Sequence, residues 1–217
     1  GPSGAGKSTI AKAVAAKLDI DYIDTGAMYR AVGYKMISEG ISVADSDRER
    51  LKNMLERTEI DFCGGNIILD GEIINDRIRT PEVSKMASDC SALPEVRSKL
   101  TTLQKQIAAS KSVIMDGRDI GTVILPDASV KIFVTASDEV RAKRRMLELH
   151  GKGIVQSFED VLADMRRRDE LDRTRDVAPA VAADDAVILD NSNLDREGTL
   201  AEALRIIREA TGAEPVR

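Results

Sequence analysis

Gly1, Gly6, Lys7 and Ser8 stand in the spacing G-x-x-x-x-G-K-[ST], within the run GPSGAGKST. Gly1, Gly4 and Gly6 allow the backbone to bend until successive N–H groups face one anion. A helix is expected behind them, over the Ala- and Lys-rich run from Lys7 to Leu18. Its N-terminus adds about half a positive charge. Lys7 can then reach the β- and γ-phosphates of a nucleoside triphosphate, and the Ser8 hydroxyl can ligate Mg²⁺. The segment Gly1, Pro2, Ser3, Gly4, Ala5, Gly6, Lys7, Ser8 and Thr9 is the expected triphosphate cradle. No guanine-reading N-K-x-D occurs, and the D-x-x-G at Asp61–Gly64 falls inside a hairpin-like stretch. A chain of 217 residues is short for a motor ATPase. A small ATP-dependent phosphotransferase remains, and it needs a second site for an acceptor.

Three clusters have the chemistry of that site. The first is Asp24 to Arg30, DTGAMYR, directly after a strand-like DYID. Thr25 is the expected N-cap of the next helix, and Arg30, one turn in, can face a phosphate; the alternative on position alone is a solvated helix arginine. The second is Asp116 to Thr122, DGRDIGT, after the apolar strand SVIM. Ligands of open α/β sheets sit at the carboxyl ends of parallel strands. Asp116 is therefore placed to position Mg²⁺ or its waters, although a structural turn with an Arg–Asp pair would read similarly. The third is the arginine-dense segment MRRRDELDRTR, Met165 to Arg175. Arg168, Asp172 and Arg175 fall at i, i+4 and i+7, on one helix face. Two arginines around a carboxylate suit a ligand bearing phosphate and hydroxyls, while a salt-bridged solvated helix is the plainer alternative.

Composition narrows the field further. Apolar residues make up 42% and charged residues 32%, as in a globular domain with a real core. Lys plus Arg is 32 against Asp plus Glu 37, and aromatics are 3% with no Trp. That balance argues against nucleic-acid binding through Arg141, Lys143, Arg144 and Arg145. The one histidine, His150, precedes Gly151 and reads as a helix-end residue, so His-based triads and most zinc sites have no material. Cys63 and Cys90 are not in a C-x-x-C pair and are expected to be reduced thiols of a cytoplasmic protein. No apolar run reaches the length of a membrane span, and no signal segment opens the sequence.

Elements that would position these groups alternate along the chain. Helices are expected from Thr25 towards a cap at Gly40, over 46–57, near Pro81–Ser91 and Pro94–Ser110, over Asp138–Leu149 and Phe158–Arg175, and over Glu197–Thr211. Strands are expected at 21–24, 112–116, 130–136 and 186–190, with β-type runs over 59–74 broken by the hairpin signals Gly64-Gly65 and Asp70-Gly71. Apolar strands alternating with helices imply an α/β protein: a three-layer P-loop NTPase fold with a parallel sheet, carrying a small β-containing insertion. A phosphate loop normally follows a buried strand, which would here precede Gly1. With no initiator Met either, the sequence is expected to begin inside the protein.

Together, GPSGAGKST, IDTGAMYRA, IRTPEVSKMAS, LPEVRSKL, MDGRDIGTVILPDASVKIFVTAS and RRRDELDRTRDVAP resemble the bacterial cytidylate kinase family, the CMP/dCMP kinases. The resemblance runs from about Gly1 to Ala210. It implies transfer of the ATP γ-phosphoryl group to CMP or dCMP with Mg²⁺. It also implies that Thr25 and Arg30 approach the acceptor nucleotide, that Ser88, Arg97 and Asp119 read cytosine, and that Arg118 binds phosphate. Arg168, Asp172 and Arg175 become lid residues that reach sugar and phosphate. A single kinase domain follows, with a core at about 1–45, 111–150 and 176–217, a nucleotide-monophosphate-binding insertion at about 46–110, and a short lid at about 151–175. Its expected partners are the two nucleotides, with neither nucleic acid nor membrane, and its expected state is a monomer.

Overall fold

The computed structural model describes residues 1–63, 65–151, 153–174 and 178–214. It comprises two compact units, one of Gly1–Asp21 with Asp116–Arg217 and one of Tyr22–Met115.

The first unit opens with the glycine-rich loop and α1 (Lys7–Leu18). Its other elements are a π-helical turn at Ile120–Ile124, strand β6 (Ile132–Thr135), helices α6 (Asp138–Gly151) and α7 (Phe158–Thr174), strand β7 (Val187–Asp190) and helix α8 (Arg196–Thr211). Strands β6 and β7 run parallel, in register from Ile132 opposite Val187 to Thr135 opposite Asp190. Helices α6 and α7 close on each other through Ala142, Leu149, Val161 and Met165.

The second unit holds α2 (Thr25–Ser38), α3 (Arg48–Glu56), α4 (Pro81–Cys90), α5 (Pro94–Ser110) and all but the outermost residue of each of the paired strands β1 (Asp21–Asp24) and β5 (Val113–Asp116), Asp21 and Asp116 belonging to the first unit. The antiparallel ribbon β2 (Ile60–Cys63), β3 (Asn66–Leu69) and β4 (Glu72–Ile73) forms the expected β insertion. Asp70 and Gly71 both take positive φ, 50° and 85°, between paired Leu69 and Glu72. That is the type I′ hairpin turn an Asp-Gly pair favours. Gly64 of the other hairpin signal lies outside the described residues. The core gathers Met28, Met36, Leu51, Met54, Val96 and Leu100, all fully buried. Helices α2 and α4 approach closely at Gly33, where a Cβ would stand 3.0 Å from the Ala87 nitrogen.

Most expected boundaries hold to within two residues, and α1, β1 and α5 coincide with the expectation. Helix α2 ends in a Schellman turn: Gly40 (φ 60°) donates to the Ile37 carbonyl and Ile41 to that of Met36. One expectation needs correction. Thr25 is not the N-cap of α2; Asp24 is, its carboxylate accepting from the Ala27 N–H at 2.8 Å, while Thr25 is buried in the first turn. The expected α/β architecture with parallel strands is present, its strands paired as β1–β5 and β6–β7. A two-stranded pair encloses little, so the residues of β5 are half-buried, and Val187 and Ile188 of β7 are exposed.

One buried charge ties the ribbon to α2. The ammonium of Lys35, itself buried, lies 2.5 Å from an oxygen of Asp70, whose other oxygen accepts from the Glu59 N–H. Removing one partner of a buried pair leaves the other charge uncompensated, at a cost of about 3–5 kcal/mol when both are enclosed. Asp70 is partly in water, so Asp70→Asn is expected to lower stability by about 2 kcal/mol in urea denaturation. The asparagine keeps both the αL turn and the acceptor for Glu59, which isolates the charge.

Candidate active site

The phosphate loop is built as its glycines require. Gly4 and Gly6 take φ of 71° and 83°, and a Cβ on Gly1 would sit 2.0 Å from the Val134 carbonyl oxygen. Gly6 is the N-cap of α1, with no side-chain cap and no acidic residue in the first turn. An N-terminus left in that state is suited to an anion. The loop is held from outside by Asn191, buried after β7, whose amide donates to the Ala5 carbonyl at 3.0 Å. Arg144 in turn grips Asn191 at its side-chain oxygen and its carbonyl, 2.9 and 3.0 Å away.

Charged groups then converge on the loop within the first unit. Lys7 folds back so that its ammonium donates to the Pro2 carbonyl at 2.7 Å. Withdrawal from water, and secondarily the charge of Arg118, bring its pKa down to about 7, against the opposing pull of Asp116, Asp169 and Asp172. The Ser8 hydroxyl donates to Asp116 at 2.5 Å, so the two expected Mg²⁺ ligands stand together. A hydroxyl and a carboxylate are hard oxygen donors, and such a pair fits Mg²⁺ when phosphate and water complete the shell. Among the described residues no group of three or more His, Cys, Asp or Glu could hold a metal ion.

Arg118 donates to the Gly1 carbonyl at 3.2 Å and forms an ion pair with Asp172 of α7 at 2.6 Å. Asp172, half-buried, therefore has a partner across the site, while Arg168 on the same face is exposed. The pKa of Arg168 is lowered, first by loss of water around its guanidinium and then by the Arg118 charge. Arg175, third member of that face, lies outside the described residues. Asp119 is buried, and its backbone carbonyl receives the Val123 N–H at 3.0 Å, which anchors the π-helical turn. Such turns recur at functional sites, and nothing in the sequence reading anticipated this one.

The remaining expected acceptor residues lie in the second unit. Arg30 is paired with the capping carboxylate of Asp24 at 3.0 Å, so it is not a free solvated arginine. Arg97, buried, donates to the Ser91 carbonyl at 3.2 Å and stands 6.0 Å from the centre of the Tyr29 ring. Ser91 in turn donates to the carbonyl of Ser88, whose residue is exposed on α4. Arg141, considered above for nucleic acid, is buried and fully engaged inside the first unit. His150 lies exposed in the last turn of α6, where its carbonyl accepts from Gly153. Cys63 and Cys90 are both free, and among the described residues no helix is long and apolar enough to cross a membrane.

A phosphate loop at the head of a helix, a Ser–Asp pair beside it and an arginine-bearing helix over both define a phosphate-loop kinase, a phosphotransferase. The family profile described as cytidylate kinase matches residues 1–209. A cytidylate kinase of Fervidobacterium nodosum is 48% identical over 209 residues, spanning 96% of this chain and 94% of that protein. One of Carboxydothermus hydrogenoformans is 47% identical over 211 residues (95% and 94%), and one of Clostridioides difficile 47% identical over 204 residues (94% of each). The chain belongs to the cytidylate kinase family.

Proposed function

We propose that the protein transfers the γ-phosphoryl group of ATP to CMP or dCMP, giving CDP or dCDP. The observation that carries this reading is the meeting of Lys7, Arg118 and the Ser8–Asp116 pair at a glycine-rich loop whose helix N-terminus has no side-chain cap. In this reading Gly1–Thr9 cradle the ATP phosphates through backbone N–H groups and Lys7. Ser8 and Asp116 hold Mg²⁺, which would neutralise charge on the phosphates. Thr25, Arg30, Ser88, Arg97, Arg118, Asp119, Arg168, Asp172 and Arg175 bind the acceptor, and Arg118, Arg168 and Arg175 share the catalytic work with Lys7.

The acceptor oxygen is already an anion, so no general base is required. Rate enhancement comes from aligning two phosphates and from fixed positive charge where negative charge spreads. Asp119 facing the exocyclic amino group of cytosine would distinguish it from uracil, which presents a carbonyl there. Functionally the chain divides into a core at about 1–45, 111–150 and 176–217, an acceptor-binding insertion at about 46–110 and a lid at about 151–175. Lid closure over both nucleotides would exclude the water that otherwise hydrolyses ATP. We read the protein as a cytoplasmic monomer acting on free nucleotides, not on nucleic acid or membrane. A panel of CMP, dCMP, UMP and AMP under saturating ATP and Mg²⁺ tests the assignment. CMP and dCMP are expected to turn over fastest; UMP preferred over CMP, or ATP hydrolysis without acceptor at a comparable rate, would overturn it.

A further inference from the structure

The phosphate loop and the lid helix are joined by a contact that the proposed chemistry does not use. Asp169 of α7 accepts the Ser3 N–H at 2.9 Å with one carboxylate oxygen and pairs with Arg141 through the other. The Arg141 side chain is 5% exposed, and its guanidinium also donates to the carbonyls of Ser3 (2.8 Å) and Ala136 (3.1 Å) and to Asp138 (2.5 Å). Ser3 is thereby held at both its N–H and its C=O. Asp138 extends the grip, since its second oxygen accepts from Arg166 of α7 at 2.7 Å. One turn before Asp169, Met165 lies over the loop, so close that a Cβ on Gly4 would come within 2.8 Å of its methyl carbon.

An enclosed arginine with this many partners is an expensive device to keep for stability alone, because a buried ion pair is often no better than packed apolar side chains. Its effect here is geometric. Asp169 follows Arg168 directly and sits three residues before Asp172, so the position at which Asp169 is fixed decides where both project. We propose that Asp169 is a positioning residue: with Arg141 it moors α7 to the phosphate loop at Ser3 and so sets where Arg168 projects and where Asp172 meets Arg118. The proposal rests on the reading above that Arg168 acts in phosphoryl transfer.

The test is a double-mutant cycle on the full chain, with steady-state kinetics using ATP and CMP and thermal unfolding of each variant. Asp169→Ala is expected to lower kcat about 100-fold, the scale of a misplacement of about 1 Å at a reacting centre. KM for ATP should change little and the unfolding midpoint by only a few degrees. In an Arg168→Ala background the same change should cost no more than about 3-fold, because the group it positions is gone. Asp169→Asn keeps the acceptor for Ser3 and loses only the charge facing Arg141, so it should show an intermediate loss and serves if the alanine variant does not fold. An equal loss in both backgrounds, or an undiminished kcat in the single variant beside a crippled Arg168→Ala, would overturn the mooring alone. Normal turnover in Arg168→Ala would instead overturn the catalytic reading of Arg168, and the mooring with it.

Discussion

Lys7→Met is expected to lower turnover with ATP and CMP by about 10³-fold, through loss of a fixed positive group facing charge that develops in the transition state. A second readout, on binding, singles out the ammonium. In the ligand-free site burial and Arg118 hold the Lys7 pKa at about 7, and the group rests on the Pro2 carbonyl. A triphosphate reverses that balance by placing anionic oxygens beside it, so the pKa rises on binding. Below pH 7 the lysine is charged in both states and no proton moves. From about pH 7 up to the bound-state pKa, ATP binding takes up a proton and affinity falls as pH rises. Calorimetry in buffers of different ionisation enthalpy measures that uptake, which Lys7→Met abolishes together with its slope. The ligand-free fold responds in the opposite sense: its lysine pKa is depressed, so above about pH 7 the unfolded chain holds the proton the folded chain has lost. This group's contribution to stability therefore increases as pH rises. Proton uptake that persists in the methionine variant would assign it to another group.

What the sequence disclosed and what it concealed separate by range. The phosphate loop was legible because its chemistry is local: glycines at positions needing positive φ, then a helix start, then Lys and Ser. The Asp-Gly turn and the ends of α5 were legible for the same reason. Asp24 and Thr25 are both good cap residues, and the choice between them fell to Asp24 because its carboxylate reaches Ala27 and Arg30 at once. Arg141 could not be picked out of its arginine run. Arg145, one turn on, pairs locally with Glu148 at the surface, whereas Arg141 meets a carboxylate on another helix and a carbonyl of the phosphate loop. Asn191, joined to Ala5 across nearly the whole chain, carries no local signal. The helix-face spacing of Arg168 and Asp172 did carry one, and Arg118 meeting Asp172 supplies the partner that spacing alone could not name.

The specificity expected of Asp119 is open to a sharper test than loss of activity. Asp119 is buried, and the π-helical turn that follows fixes its backbone, so a conservative change there alters chemistry more than position. Asp119→Asn keeps the size and one acceptor oxygen, removes the charge, and adds an amide donor. Against cytosine, a charge-assisted hydrogen bond is weakened, a loss of about 1.5–3 kcal/mol, which is about 10- to 150-fold in kcat/KM for CMP. Against uracil, the new N–H group finds the carbonyl that a carboxylate would repel, so UMP should lose nothing and gain somewhat. The CMP-to-UMP ratio of kcat/KM should therefore fall by more than either rate changes alone, since specificity is a difference between two transition states. A structural role for Asp119 predicts another pattern: both acceptors slow together and their ratio is unmoved. That result would remove Asp119 from the base-reading set while leaving the phosphate-loop chemistry intact.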